Sequence, residues 1–168
     1  MFRYQILIEY AGTSFIGWQV QTKGKTIQGL IQKKISNLLN EKIVVTGSGR
    51  TDTGVHAIEQ SAHFDSIKKI QNLNKFFKSI NYFLNKHEIA ILKIKKKNMK
   101  FHARFSAKER VYKYVIFNQL SKPILQNKRG WFVIKNLELE IMKKAAKKLI
   151  GNHDFSTFRA SGCNAKSP

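Results

Sequence analysis

Hydrophobic periodicity switches between two and 3.6 residues in a fixed order over the first 95 residues. That order restricts the fold more than any other feature of the chain. Residues 3–10 alternate, with Tyr4, Ile6, Ile8 and Tyr10 on one face, which predicts a strand. A loop over 12–25 leads to Thr26, placed as an N-cap before a one-sided stripe of Ile27, Leu30, Ile31, Ile35, Leu38 and Leu39. Strands are expected at 43–46 and 58–64. Leu73, Phe76, Phe77, Ile80, Phe83 and Leu84 form a second helical stripe, and 88–95 reads as another strand. The aromatic residues of that stripe have the period of a buried helix face, so they read as core rather than as a platform for stacking bases. The order β-α-β-β-α-β is that of the ferredoxin-like unit, an α+β arrangement with a mainly antiparallel sheet and both helices on one face. RNA-recognition domains share it, but the expected third strand, Ile58-Glu59-Gln60-Ser61-Ala62-His63-Phe64, lacks their K/R-G-F/Y-G/A-F-V-x-F/Y run. Further strands are expected at 110–117 and 130–134. A third helix is expected to carry Met142, Ala145, Ala146, Leu149 and Ile150, with Gly151 as its C-cap glycine.

Between the second and third strands lies Gly47-Ser48-Gly49-Arg50-Thr51-Asp52-Thr53-Gly54-Val55-His56-Ala57. An Arg and an Asp two residues apart, framed by glycines at a strand end, suit an active site, because glycine lets a ligand approach the backbone closely. The same spacing suits a plain turn with a solvated salt bridge from Arg50 to Asp52 or Asp65. Two phosphate loops are excluded. Gly49-x-x-x-x-Gly54 is followed by Val55 and His56 rather than Lys and Ser/Thr, and Gly47-x-Gly49 lacks a third glycine at Asp52.

The 168 residues carry a net charge of +21, which favours a polyanionic partner, nucleic acid first. Only Arg3, Arg50, Arg104, Arg110, Arg129 and Arg159 are arginines, so most of the excess is lysine, and part of it is compatible with solvated faces. The densest basic run, Lys93-Ile94-Lys95-Lys96-Lys97, fits an RNA-facing edge and a solvated strand end equally. Cys163 is the single cysteine, which excludes an internal disulfide and suits a reducing cytoplasm. The five histidines lack paired metal-ligand spacing. No apolar run approaches a membrane span, and the N-terminal residues lack a signal-peptide core.

Four stretches resemble one family. Gly49-Arg50-Thr51-Asp52-x-Gly54-Val55-His56-Ala57 resembles the G-R-T-D-x-G-V-H-A signature of the tRNA pseudouridine synthase A family. Tyr10-x-Gly12-Thr13-x-Phe15-x-Gly17-Trp18-Gln19 is similar to its E-Y-D-G-x-x-Y-x-G-W-Q. Phe101-His102-Ala103-Arg104-Phe105-Ser106-Ala107 with Tyr112-Lys113-Tyr114 resembles F-H-A-R-F-S-A followed by Y-x-Y. Asp154-Phe155-Ser156-Thr157-Phe158-Arg159-Ala160 resembles D-F-T-S-F-R-A.

The resemblance implies isomerisation of uridine to pseudouridine in the anticodon stem-loop of tRNA, by a cytoplasmic homodimer with no cofactor or metal. It implies Asp52 as the essential nucleophile. Attack on the ribose, attack on the base, or removal of a C2′ proton all call on the same ionised carboxylate. Arg50 is implied in flipping the base out of its stack, and Tyr112 in stacking on the target uracil. Phe101, His102, Ala103, Arg104 and Phe105 match one tRNA-touching segment, and Gly162, Cys163, Asn164, Ala165 and Lys166 another, with Arg104 and Lys166 as phosphate contacts. Phe101 and Phe105 suit packing equally well. Tyr112 and Tyr114 also suit alternate core-facing positions of a strand. The chain then reads as a ferredoxin-like lobe over 1–100, carrying RNA binding and the catalytic loop, and an incomplete second lobe over 101–168. The family's final block, with the Arg expected to pair with the catalytic Asp, has no match before Pro168, so this chain by itself is expected to be inactive. A non-catalytic RNA-binding fragment of the same fold and an enzyme acting on a small anionic ligand through Asp52 are the rival readings.

Overall fold

The computed structural model describes residues 1–158. They fall into two units, Met1–Lys113 and a second that begins at Tyr114.

The first unit contains β1 (Phe2–Tyr10), α1 (Ile27–Leu39), β2 (Val45–Gly47), β3 (Ala57–Ser66), α2 (Leu73–Leu84) and β4 (Ile89–Lys97). The strands form one sheet in the order β2-β3-β1-β4, with every neighbouring pair antiparallel. This is the ferredoxin-like arrangement expected from the element order. The alternation in β1 does what the pattern requires. Tyr4, Ile6, Ile8 and Tyr10 are buried in one cluster with Val45, Ala62, Phe64, Ile89 and Ile91 of the other strands, Ile27, Ile31 and Ile35 of α1, and Phe76, Ile80 and Leu84 of α2. Both helices therefore lie on that face. Burying one such side chain contributes about 1.5–3 kcal/mol, which is why the register of β1 is well determined. Thr26 caps α1 by accepting from the Gly29 N–H, and Asn72 caps α2 by accepting from the Lys75 N–H.

Both outer strands are met by side-chain amides. Gln28 Nε2 donates to the Val45 carbonyl at 2.7 Å, and the Val45 N–H donates to Gln32 Oε1 at 3.0 Å. On the opposite border Asn81 Nδ2 donates to the Ile91 carbonyl at 2.9 Å and the Ile91 N–H donates to Asn81 Oδ1 at 2.7 Å. At each border the amides replace the two bonds a neighbouring strand would supply.

The second unit has a two-stranded parallel sheet of β5 (Ile116–Asn118) and β6 (Trp131–Val133), followed by α3 (Leu139–Lys147). Three expectations need correction. The strand expected at 43–46 is Val45–Gly47, and Val44 is exposed, because pairing with β3 starts only at Val45. The strand expected at 110–117 reduces to Ile116–Asn118. Alternation alone does not make a strand, and residues 110–114 have no ladder partner among the described residues, the first bond to β6 being from the Trp131 N–H to the Val115 carbonyl. Tyr112 and Tyr114 are consequently exposed instead of facing a core. The third helix stops at Lys147, before Gly151. The Leu149 and Ile150 N–H groups bond three residues back, to Ala146 and Lys147, so the chain has tightened into turns before the glycine is reached.

Candidate active site

Asp52 sits in the connection between β2 and β3, and the N-terminal motif holds that connection from beneath. The Trp18 N–H donates to the Thr51 carbonyl at 2.9 Å and the Gly54 N–H to the Phe15 carbonyl at 3.3 Å. The Gly12 N–H donates to His56 Nδ1 at 3.1 Å. Two glycines make the approach possible. A Cβ on Gly12 would run into the Val55 carbonyl, and Gly17, at φ +113°, would place one 2.7 Å from the Thr51 carbonyl oxygen. The two glycine-bearing motifs are thus the two halves of one backbone-to-backbone contact.

A buried polar chain adds a second grip. Tyr10 Oη lies 2.8 Å from Thr51 Oγ1 and donates to Gln60 Oε1 at 3.0 Å, while Gln60 Nε2 donates to the Gly49 carbonyl at 2.9 Å. Burial raises the Tyr10 phenol above its ordinary value against the lowering effect of the Thr51 hydrogen bond, and the nearby Tyr112 phenol adds to the rise.

Above these contacts a cavity of about 320 Å³ opens, lined by Ile16, Trp18, Gln19, Gln21, Arg50, Thr51, Asp52 and Thr53. Arg50 and Asp52 are exposed and both line this cavity. The salt-bridge reading of Arg50 is not what the structure shows. Among the described residues neither Arg50 nor Asp52 takes part in an ion pair, and Asp65 is held by Arg3. Tyr112 is 74% exposed and within electrostatic reach of the Tyr10 phenol.

Residues 101–105 are anchored elsewhere, on the sheet face that carries no helices. Arg3 makes a bidentate pair with Asp65, at 2.8 and 2.7 Å, and its Nη1 also donates to the Met99 and Phe101 carbonyls. The Ala103 N–H donates to Nδ1 of His63, and Ala103 itself is buried. His63 is only 4% exposed. Burial, then the Arg3 and His102 charges, push it down to about 4, so it is neutral at physiological pH and able to accept that bond. The Arg3 hydrogen bonds hold the Asp65 carboxyl below its usual range. Phe101 is half-buried edge-on to His63, with the Lys97 ammonium 5.2 Å from its ring centre. His102 stacks on Phe105 at 4.4 Å, and the Arg104 guanidinium lies over the same Phe105 ring, with both Arg104 and Phe105 exposed. Phe101 thus packs, whereas Phe105 presents a flat ring to solvent. Gly162, Cys163, Asn164, Ala165 and Lys166 lie outside the described residues.

Sequence reasoning did not find Tyr10, Gln60 and His63 as organisers of these loops. The available signal was a polar side chain at an otherwise core-facing strand position, Gln60, and a histidine inside a buried strand. Among the described residues no group of three or more His, Cys, Asp or Glu side chains is placed to hold a metal ion.

The sequence profile of the tRNA pseudouridine synthase family matches residues 6–106, which include the sheet, the Asp52 loop and the His63-anchored segment. A tRNA pseudouridine synthase A of Pelagibacter ubique (strain HTCC1062) is 67% identical over all of this chain, which spans 68% of that relative's length. A tRNA pseudouridine synthase A of Ehrlichia ruminantium (strain Welgevonden) is 44% identical over 99% of the chain and is likewise covered over 68% of its length. This chain belongs to the tRNA pseudouridine synthase family.

Proposed function

We propose that the protein isomerises uridine to pseudouridine in the anticodon stem-loop of tRNA, with Asp52 as the catalytic carboxylate. The observation that carries the reading is the cavity shared by Asp52 and Arg50, whose floor is fixed by bonds to Thr51 while both charged side chains remain exposed. The N1–C1′ bond breaks, the uracil turns, C5 joins C1′, and a proton leaves C5 while one is taken up at N1, so no redox partner is required. Asp52 supplies the anionic oxygen that engages the reacting unit. Arg50, a planar multi-donor cation, occupies the space left by the flipped nucleotide and holds a phosphate. Tyr112 offers an exposed ring to stack on the uracil. Arg104, Phe105 and the basic surface carry the tRNA backbone. By the same family likeness the enzyme works as a cytoplasmic homodimer. No described helix is long and apolar enough to cross a membrane.

The test is Asp52→Asn in the full-length product, read by tritium release from 5-tritiated uridine in tRNA and by filter binding. The amide keeps the shape and loses the charge, so release should disappear while tRNA affinity changes by less than about threefold. Wild-type turnover by the Asn variant, with deamidation excluded by mass spectrometry, removes Asp52 from the chemistry. Tight binding with no release by the wild-type protein leaves an RNA-binding module.

A further inference from the structure

The chain of bonds beneath the Asp52 loop has one consistent direction. Gln60 Nε2 donates to the Gly49 carbonyl, so its Oε1 faces Tyr10 and can only accept. Tyr10 must then donate its single proton to Gln60, and the remaining contact, Thr51 Oγ1 to Tyr10 Oη at 2.8 Å, is completed by the Thr51 hydroxyl proton. The path runs Thr51 to Tyr10 to Gln60 to Gly49. Both ends belong to the same loop, at positions 49 and 51, and both inner members belong to adjacent strands, β1 and β3. The loop is thus gripped at Gly49 and Thr51, on either side of Arg50, and Arg50, Thr51, Asp52 and Thr53 together line the cavity.

We infer that Tyr10, Gln60 and the Thr51 hydroxyl form a positioning relay that fixes the direction in which Asp52 and Arg50 enter the cavity. The inference rests on the reading of Asp52 as the catalytic carboxylate. Tyr10 is buried and touches no cavity surface of its own, so it acts through Thr51 and not on the substrate. Its neighbours are compatible with a neutral phenol that keeps its proton. The ring lies against Trp18, with centres 6.0 Å apart, and among the described residues the Tyr10 hydroxyl bonds to the Thr51 hydroxyl and the Gln60 amide. A group placed this way matters because small displacements of a reacting carboxylate cost rate steeply, ~10²-fold for about 1 Å.

Tyr10→Phe removes one oxygen and keeps the ring. Thr51→Val removes the hydroxyl at constant shape, and Thr51→Ser keeps it. The prediction is that Tyr10→Phe and Thr51→Val each lower kcat by roughly 10- to 100-fold with KM for tRNA changed less than about twofold. The double variant should be no slower than the slower single, because both cut the same path. Thr51→Ser should recover most of the Thr51→Val loss. Amide hydrogen exchange at residues 50–53, which needs no activity, should quicken in Tyr10→Phe and Thr51→Val but not in Thr51→Ser. Unchanged exchange in Tyr10→Phe, or a Thr51→Ser variant as slow as Thr51→Val, overturns the relay. Quickened exchange together with an Asp52→Asn variant that still turns over leaves the relay standing and overturns the catalytic assignment instead.

Discussion

Between Met1 and Lys113 one apolar cluster joins four strands to two helices, whereas from Tyr114 to Phe158 no described residue is buried. The two regions are not distinguished by pattern. The stripe of α3 is as one-sided as that of α2, yet Leu139, Ile141 and Met142 are exposed, and so are Leu149 and Ile150 beyond it. What differs is the opposing layer. Helices α1 and α2 meet a four-stranded sheet, while the second unit offers a two-stranded one, which is marginal as a folding surface. An amphipathic stripe therefore states that a helix can be buried, and the sheet decides whether it is.

The largest effect should separate the regions outright. Ile8→Ala removes a fully buried side chain and should cost about 2–5 kcal/mol, whereas Ile141→Ala should stay within about 0.5 kcal/mol. Urea unfolding followed by circular dichroism measures both. An equal cost for Ile141→Ala would mean that the second unit has a core after all.

A second effect belongs to the first unit alone. His63 is held down to about 4 from its ordinary 6.5 by burial and by the Arg3 and His102 charges. The unfolded chain therefore takes up the proton first. The stabilisation from keeping His63 neutral is complete above pH 6.5 and is lost as pH falls towards 4, by about 3 kcal/mol at most. Asp65, held low by its Arg3 hydrogen bonds, works in the same direction, its contribution present above its ordinary 3.8 and lost as pH drops below that. Fluorescence of Trp18 in a Trp131→Phe background should report the slope, and His63→Asn should flatten the portion between pH 6.5 and 4. A slope that survives that substitution places its source elsewhere.

The smallest effect concerns helix starts. Asn72→Ala and Thr26→Ala each remove a side-chain cap and should cost about 1 kcal/mol, while Glu138→Ala, at a start with no side-chain cap bond, should change stability by a few tenths at most. Thermal melts of the three variants order them. A costly Glu138→Ala would show α3 to be more tightly integrated than its exposure suggests.

Much of the first unit was readable because its signals are periodic and local. The β1 face, the Thr26 cap and the α2 stripe each depend on residues within one element. The site was half readable. Glycines and charges marked the Asp52 loop, but its anchors join residues far apart in the chain, Tyr10 to Gln60 and His63 to Ala103, and a polar side chain on a strand has no periodic partner to betray it. The stretch before β5 was misread for the converse reason. Its alternation is genuine, but a strand is a relation between two segments, and no second segment forms a ladder with residues 110–114 among those described.

The amides of Gln28, Gln32 and Asn81 close one residue on each border of the sheet. A β-sheet is an open-ended polymer in its hydrogen-bonding direction, and its growth stops only when an incoming strand gains too little. Val45 on one border and Ile91 on the other are already bonded through both backbone groups. A newcomer would have to break two bonds to form two, so the gain of about 0.5–1.5 kcal/mol per bond that drives strand addition vanishes there. Three side chains carrying no charge thereby occupy one residue on each border from within the same chain. They would disfavour edge-to-edge strand addition at those two residues even where salt has screened the repulsion between basic chains, and they leave pairing of copies through other faces open.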